Sequence, residues 1–214
     1  MAVDVKICGL KTDETVTAAV SAGAAYVGFV FFPRSPRNVS ADEAAALVAA
    51  LPDDVIPVGL TVDPDDALVD TIAATGARML QFHGSESPER LDRAKQATGC
   101  QVMKAISIET ATDLDRAEAY VDVADMLLFD AKPPKGLKGA MPGGNAVSFD
   151  WTVLADRDWP IPWMLSGGLD PSNVADAIRI SGARAVDVSS GVESAPGVKD
   201  PDRIRAFIGA AKGV

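Results

Sequence analysis

Val3-Asp4-Val5-Lys6-Ile7-Cys8-Gly9 is a short run rich in β-branched residues that stops at a cysteine and a glycine. Such a run predicts a strand. A thiol at its carboxyl end, where the backbone turns into a loop, fits a catalytic position in an α/β barrel. A cysteine that only fills space is the alternative, because free cysteine is among the most buried residue types. Taken alone, Cys8 favours that structural alternative.

Seven further stretches have similar apolar character, so that eight strands are expected along the chain. The predicted strands are 3–8, 25–31, 55–61, 78–82, 101–106, 124–130, 161–165 and 184–188. Several are almost continuously apolar, which is typical of strands covered on both faces in a parallel sheet. Helix-like stretches alternate with the strands, and no linker or change in composition interrupts them. The expected fold class is therefore α/β, with residues 1–214 forming a single (β/α)8 TIM barrel.

Signals at the ends of the helices support this alternation. Predicted amino-terminal caps followed by proline are Asp63-Pro64, Ser87-Pro88, Asp170-Pro171 and Asp200-Pro201, and Ser40 with Glu43 predicts a capping box. Predicted carboxyl-terminal caps are Gly23, Gly76, Gly99 and Gly182. A doubly wound open sheet is the alternative fold, but the chain has no glycine-rich dinucleotide fingerprint.

Composition and charge restrict the kinds of partner. A formal net charge of -10 argues against a general binder of nucleic acid or of anionic membranes. It does not exclude a small anionic substrate, because backbone amides and one or two arginines can decide local binding. No apolar stretch approaches the roughly 20 residues of a membrane span, and the amino terminus lacks a leader pattern, so a cytoplasmic location is expected. Two distant cysteines and one histidine give neither metal-ligand spacing nor a disulfide framework.

The barrel topology selects candidates for chemistry, because active sites of this fold lie at the carboxyl ends of the strands. Polar residues at or near those ends are Cys8, Gln81, His83, Asp130 and Asp187. Cys100 begins the fifth strand at the opposite mouth and is expected to be structural. The two cysteines therefore have different expected roles.

Cys8 and Asp130 are candidates for an acid–base pair across the barrel mouth. A thiol is a usable general base where positive charge lowers its pKa, and Lys6 shares the inward face of the strand with Cys8. Lys6 needs a partner there, which Asp4 or an aspartate on a neighbouring strand could supply. The competing chemical interpretation is that Lys6 acts as a Schiff-base nucleophile. For Asp130, the non-catalytic alternative is that it only caps a loop.

Two glycine-containing loops predict a phosphate site. Ser166–Pro171 follows the seventh strand, and Ser189–Glu193 follows the eighth. The corresponding loops commonly bind phosphate in this fold through backbone amides and a helix amino terminus. Arg34 and Arg37 follow the second strand and could bind a second anion, although at least one is expected to be solvated. The long segment 131–147, rich in Gly, Pro and Lys, follows the sixth strand and is expected to be functional rather than a tolerated insertion.

Six blocks of sequence resemble the phosphoribosylanthranilate isomerase family over essentially the whole chain. The blocks are Lys6–Leu10, Gly28–Phe31 with Ser35–Arg37, Gln81–Gly84, Leu127–Asp130, Ser166–Leu169 and Val186–Glu193. The resemblance implies an Amadori rearrangement in tryptophan biosynthesis, with no cofactor and no metal. The chain departs from the family at Thr61, where phenylalanine is more usual, and at residues 143–146, where a Gly-Thr-Gly-like turn is expected.

The resemblance also implies roles for individual residues. Cys8 is the implied general base and Asp130 the implied general acid. Arg37 would hold the anthranilate carboxylate, and the substrate phosphate would lie against Gly167, Gly168, Ser190 and Gly191. Gln81, His83 and Asp187 are expected to contact the substrate. A monomer or a homodimer is expected, with a small phosphorylated molecule as partner. Another phosphosugar barrel enzyme, such as a lyase using a lysine, and a catalytically silent phosphate-binding barrel are the alternatives.

Overall fold

A computed structural model describes residues 3–132, 143, 148–155 and 157–214. Eight parallel strands pair in chain order and close into a barrel. The strands are β1 (Asp4–Cys8), β2 (Tyr26–Val30), β3 (Ile56–Thr61), β4 (Met79–Phe82), β5 (Gln101–Ile108), β6 (Met126–Ala131), β7 (Trp163–Leu165) and β8 (Ala185–Val188). The predicted TIM barrel is confirmed. Most of the 131–147 segment lies outside the described residues.

Helices alternate with the strands on the outside of the barrel. They are α1 (Asp13–Ala22), α2 (Ala41–Ala49), α3 (Asp66–Ala74), α4 (Pro88–Thr98), α5 (Thr152–Ala155), α6 (Val174–Ser181) and α7 (Pro201–Lys212). A 3₁₀ helix, Ala111–Tyr120, takes the place of an α-helix between β5 and β6. A second, short one (Ser190–Val192) follows β8. No helix in the described part of the chain is long and apolar enough to cross a membrane.

Several predicted helix caps are confirmed. Ser87 and Asp200 accept hydrogen bonds from backbone amides of the first turns of α4 and α7, each with proline at the start of the helix. Ser40 and Glu43 form the predicted capping box of α2. Gly23, Gly99 and Gly182 end their helices with positive φ angles, and Gly76 has a φ of 89° directly after the cap residue of α3. Local chemistry was sufficient to find these helix ends.

Two predicted caps are wrong. Asp63 has a φ of 45° and accepts hydrogen bonds from the amide and hydroxyl of Ser85, so that Asp65 caps α3 instead. Asp170 closes a turn by accepting from the amide and hydroxyl of Ser172, and α6 begins only at Val174. In both cases the carboxylate that suited a helix cap stabilises a loop at the carboxyl ends of the strands.

Apolar side chains pack in two layers. The larger layer lies between the strands and the helices, and the smaller one fills the barrel interior with residues such as Met79, Met103, Leu128 and Met164. Polar side chains replace apolar ones towards the carboxyl ends of the strands, where Lys6, Gln81, Asp130 and Asp187 are buried. The barrel interior is therefore filled by apolar side chains at one end and carries polar and charged side chains at the other.

A small antiparallel hairpin extends the loop between β8 and α7. It consists of β9 (Glu193–Ala195) and β10 (Val198–Lys199), with Glu193 opposite Lys199. Gly197 lies in its turn with a φ of 79°. A Cβ atom at Gly197 would lie 2.6 Å from the carbonyl oxygen of Pro36, so the hairpin packs closely on the loop that follows β2.

Gly59 in β3 offers a test of the packing between barrel and helices. A Cβ atom there would lie 2.2 Å from Cγ2 of Ile72, which is fully buried on α3. We expect Gly59→Ala to lower the free energy of unfolding by about 1–3 kcal/mol, because overpacking strains a filled core. Urea unfolding followed by circular dichroism would measure the change.

Gly209 on α7 is the matched control, since a Cβ atom there meets nothing within 4 Å. We expect Gly209→Ala to raise the free energy of unfolding by up to about 1 kcal/mol through helix propensity. Equal effects of the two substitutions would contradict the packing assigned to Gly59.

Candidate active site

A pocket opens at the carboxyl ends of the strands. Its volume is about 650 Å³, including the part that is open to solvent. Nine of the ten predicted site residues line it, namely Cys8, Arg37, Gln81, His83, Asp130, Gly167, Gly168, Asp187 and Ser190. Apolar side chains of Val30, Phe32, Leu60, Val62 and Leu169 form the rest of its wall together with further small residues. This size and mixed lining suit a small molecule with an apolar ring and several polar groups.

Cys8 lies at the end of β1 beside Gly28 of β2. The two residues pair across the strands, and a Cβ atom at Gly28 would lie 3.0 Å from Cys8 Sγ and 3.3 Å from Lys6 Nζ. Glycine at this position therefore leaves room for the thiol and for the ammonium group behind it. Cys8 itself is almost fully buried.

Lys6 finds its partner on the neighbouring strand. Its Nζ lies 2.8 Å from Oδ1 of Asp187 on β8, and both side chains are buried. Ser166 Oγ donates to the other oxygen of Asp187 at 3.1 Å. Of the two partners expected for Lys6, the aspartate on a neighbouring strand is the one observed.

Burial and charge act in opposite directions on the Cys8 thiol. Burial raises the pKa of Cys8, and the positive charges of Lys6 and Lys199 lower it without compensating fully, so that the pKa lies above its ordinary value. The expectation that Lys6 favours the thiolate is correct in sign. Lys6 alone does not overcome the loss of hydration.

Asp130 is held at the end of β6 by two hydrogen bonds. One oxygen accepts from the amide of Ala131 at 2.9 Å, and Oδ2 lies 3.2 Å from Nε2 of His83. Nδ1 of His83 is in turn 3.3 Å from Nε2 of Gln81, whose buried Oε1 has no partner among the described residues. A Cβ atom at Gly143 would lie 2.7 Å from Asp130 Oδ2, so the chain passes very close to this carboxylate.

The two glycine loops adjoin each other at the ends of β7 and β8, and a Cβ atom at Gly167 would lie 2.5 Å from the backbone nitrogen of Ala131. Gly167 and Gly168 have φ angles of 92° and 62°, and Nδ2 of Asn173 donates to the carbonyl oxygen of Gly168 at 2.9 Å. Gly191 does not line the pocket. A Cβ atom there would lie 1.9 Å from the carbonyl oxygen of Leu169, so this glycine allows the two loops to pack together.

Arg37 lies on the loop after β2 and is buried against the β9–β10 hairpin. Its Nε and Nη2 donate to the two carboxylate oxygens of Glu193 at 2.7 and 2.9 Å. Lys199 Nζ also donates to Glu193 Oε1, at 2.8 Å. Burial would raise the pKa of Glu193, but the hydrogen bonds from Arg37 and the charge of Lys199 outweigh it and hold the pKa below its ordinary value.

Lys199 connects this group to the cysteine. Its Nζ donates to the carbonyl oxygen of Ser189 at 2.7 Å, and the Ser189 hydroxyl donates to the carbonyl oxygen of Cys8 at 3.1 Å. Burial lowers the pKa of Lys199 to about 8 despite the opposing charge of Glu193. Two cations, Arg37 and Lys199, and the carboxylate of Glu193 are thus fixed together, and Arg37 is the member of this group that lines the pocket.

Sequence reasoning missed the roles of Glu193 and Lys199. The segment Ala195-Pro196-Gly197 carries a turn signal that could have predicted a hairpin, and a hairpin would have placed the two charges opposite each other. Arg34, by contrast, is exposed and stacks near Phe32 at 5.7 Å, as expected for a solvated loop arginine. Cys100 is buried at the other mouth and donates to the carbonyl oxygen of Ala77 at 3.2 Å, away from the pocket.

Residues 5–210 match the family model described as N-(5'phosphoribosyl)anthranilate (PRA) isomerase. The N-(5'-phosphoribosyl)anthranilate isomerase of Paramagnetospirillum magneticum is 60% identical over 215 residues, covering 100% of this chain and 99% of the relative.

Solved structures agree with the sequence comparison. A phosphoribosylanthranilate isomerase in complex with reduced 1-(o-carboxyphenylamino)-1-deoxyribulose 5-phosphate is 36% identical, with a TM-score of 0.85, and covers 99% of this chain and 100% of its own. Monomers generated from the dimeric Thermotoga maritima enzyme give the same identity, TM-score and coverage. The chain belongs to the phosphoribosylanthranilate isomerase family.

Proposed function

We propose that this protein isomerises N-(5'-phosphoribosyl)anthranilate to 1-(2-carboxyphenylamino)-1-deoxyribulose 5-phosphate, an Amadori rearrangement in tryptophan biosynthesis. The observation that carries the proposal is a single pocket lined by a thiol, a carboxylic acid, an arginine and two glycine loops. Those groups match, in turn, a base, an acid, a site for a ring carboxylate and a site for a phosphate. Membership of the family indicates which particular reaction these groups carry out.

Asp130 is the proposed general acid. In the first step its proton goes to the ring oxygen of the ribose, the bond between that oxygen and the anomeric carbon breaks, and the anthranilate nitrogen supplies the electron pair that forms the Schiff base. Two hydrogen bonds fix the carboxyl group at the pocket wall, which supports this role because proton transfer depends on geometry first.

Cys8 is the proposed general base. Its thiolate removes the proton from the sugar carbon next to the imine, and the electrons move towards the substrate nitrogen to give an enolamine. Tautomerisation of the enolamine then yields the ketose. The substrate's own nitrogen serves as the electron sink, so this scheme needs neither a cofactor nor a metal.

Binding of the substrate is assigned to Arg37 and to the two glycine loops. Arg37 would bind the anthranilate carboxylate, and Gly167, Gly168 and Ser190 would bind the phosphate through backbone amides and a hydroxyl. Gly191 supports the phosphate site by allowing the loops to pack. Contacts from Gln81, His83 and Asp187 to the substrate remain predictions.

A lysine-based lyase is disfavoured. Lys6 lies beneath Cys8, and Asp187 and Cys8 raise its pKa against the effect of burial, whereas a Schiff-base nucleophile must be neutral. Lys104 is engaged on the outside of the barrel by Glu86 and by the carbonyl oxygen of Gly84, both at 2.7 Å. Neither lysine lines the pocket.

Residues 1–214 are proposed to act as one catalytic domain. The Thermotoga maritima relative is described as dimeric, and for this chain a monomer or homodimer is the prediction. The cytoplasmic location expected from the sequence likewise stays a prediction.

Removal of either proton-transferring group tests the assignment. We expect Cys8→Ala and Asp130→Asn each to lower kcat by about 10²- to 10⁴-fold, the usual contribution of general acid–base catalysis. The measurement is the substrate-dependent loss of anthranilate fluorescence with purified protein.

Cys100→Ala is the control, because it removes the other thiol at the opposite mouth of the barrel. We expect kcat to remain within about twofold of the wild type, since the residue is outside the pocket. Turnover in Cys8→Ala or Asp130→Asn close to that of the wild type would disprove the proposed roles. Binding of the product without any turnover by the wild type would instead favour the silent barrel.

The pH profile provides an independent test of Cys8. Because burial holds the pKa of this thiol above its ordinary value, the thiolate fraction grows with pH throughout the neutral range. In Asp130→Asn, whose residual turnover no longer depends on a protonated carboxyl group, we expect kcat/KM to rise about tenfold between pH 7 and pH 8. The double variant with Cys8→Ser should lack this slope, and a flat profile in Asp130→Asn would exclude the thiolate as base.

A further inference from the structure

The β9–β10 hairpin presents one buried carboxylate to the loop that carries Arg37. Glu193 lies 156 residues after Arg37 and accepts from both Nε and Nη2 of the guanidinium. A bidentate pair of this kind fixes the plane of the guanidinium as well as its position. We infer that Glu193 is a positioning residue that holds Arg37 in the orientation required to recognise the carboxylate on the substrate's ring.

Several contacts hold Glu193 itself in place. Lys199 donates to Oε1 at 2.8 Å, and the amide of Gly197 donates to Oε2 at 3.2 Å. Arg203 donates to the backbone carbonyl oxygen of Glu193. The carboxylate is therefore fixed by its own hairpin and by α7 before it binds Arg37, as a positioning group has to be.

The β9–β10 hairpin also packs closely on the loop that carries Arg37, so the position of Glu193 is linked to that of Arg37. The turn at Gly197 packs directly on Pro36, the residue before Arg37. The amide of Arg37 also donates to the hydroxyl of Ser35 at 3.2 Å. Backbone and side chain of Arg37 are thus both anchored, and Arg37 lines the pocket from this anchored position.

Arginine is a flexible side chain, and this determines the expected effect of losing Glu193. A guanidinium held by fewer hydrogen bonds gives up more rotamer freedom when it binds a carboxylate, whereas one that is firmly fixed loses little. Without Glu193, the buried guanidinium of Arg37 would also lose the negative charge that compensates for its burial. Both effects move Arg37 away from its receptor geometry.

This inference rests on the proposed role of Arg37 as the receptor for the substrate carboxylate. Two ligands allow the role of Glu193 and the role of Arg37 to be tested separately. One ligand is reduced 1-(o-carboxyphenylamino)-1-deoxyribulose 5-phosphate, and the other is the same compound without the ring carboxylate. Both carry the phosphate, so the ratio of their dissociation constants reports only on recognition of the carboxylate. Isothermal titration calorimetry measures each constant.

We expect Glu193→Gln to reduce the preference for the carboxylated ligand by about tenfold, because glutamine offers a single acceptor where Arg37 uses two. The affinity for the ligand without carboxylate should change by less than about twofold. In turnover, KM should rise while kcat stays within about threefold, since the acid and the base are untouched.

Glu86→Gln is the matched control. Glu86 forms the other buried glutamate–lysine pair, 2.7 Å from Lys104, and the side chains of both pairs are at most 4% exposed. A general loss of stability from breaking such a pair would therefore appear in both variants. The preference for the carboxylated ligand should fall only in Glu193→Gln.

Arg37→Ala completes the experiment. If the preference falls in Arg37→Ala but not in Glu193→Gln, Glu193 is not a positioning residue and the proposed function stands. If it falls in neither, the role proposed for Arg37 is itself wrong. Should Glu193→Gln fail to fold, Glu193→Asp retains the charge but is too short to reach both nitrogens, and the preference should then fall between wild type and Arg37→Ala.

Discussion

The ion pair between Lys6 and Asp187 is the interaction on which the rest of the site depends. It joins β1 to β8, the first and last strands of the barrel, at the register where the barrel closes, and both side chains are buried. Removal of one partner would leave an unpaired charge in the barrel interior, which usually destabilises a protein by roughly 3–5 kcal/mol. The pair therefore fixes the seam of the barrel and, directly above it, the cysteine.

This position affects the pKa of the Cys8 thiol in two opposite ways. Lys6 supplies positive charge, but the enclosure that makes this charge effective also removes the water that would solvate a thiolate. Lys199, reached through Ser189, adds a second cation from the far side. The result is a thiol whose pKa lies above its ordinary value, because burial outweighs the positive charges of Lys6 and Lys199. The thiolate is therefore a minor form of Cys8 at neutral pH, but it binds a proton strongly once it has formed.

The eight strands and most of the residues that line the pocket could be predicted from sequence because they depend on local patterns. Apolar runs located the eight strands, and the rule that active sites lie at carboxyl ends then separated Cys8 from Cys100. The role of Asp63 in its loop could not be predicted, since its carboxylate accepts a hydrogen bond from Ser85, 22 residues later. The contact of Glu193 with Arg37 could not be predicted either, because Arg37 lies 156 residues earlier in the chain and is brought near only by closure of the barrel. The pKa of Cys8 depends on a balance of burial and charge that no spacing reveals.

The placement of the charges also resolves an apparent conflict between an acidic chain and an anionic substrate. The net charge of -10 lies mostly on exposed carboxylates, where salt screens interactions beyond about 8 Å. Within the pocket wall, Lys6, Arg37 and Lys199 are buried together with only two carboxylates that bind them directly, Asp187 and Glu193. Backbone amides of the glycine loops add further donors without adding charge. Each buried carboxylate sets the position of a cation, so that orientation rather than total charge determines which anion binds.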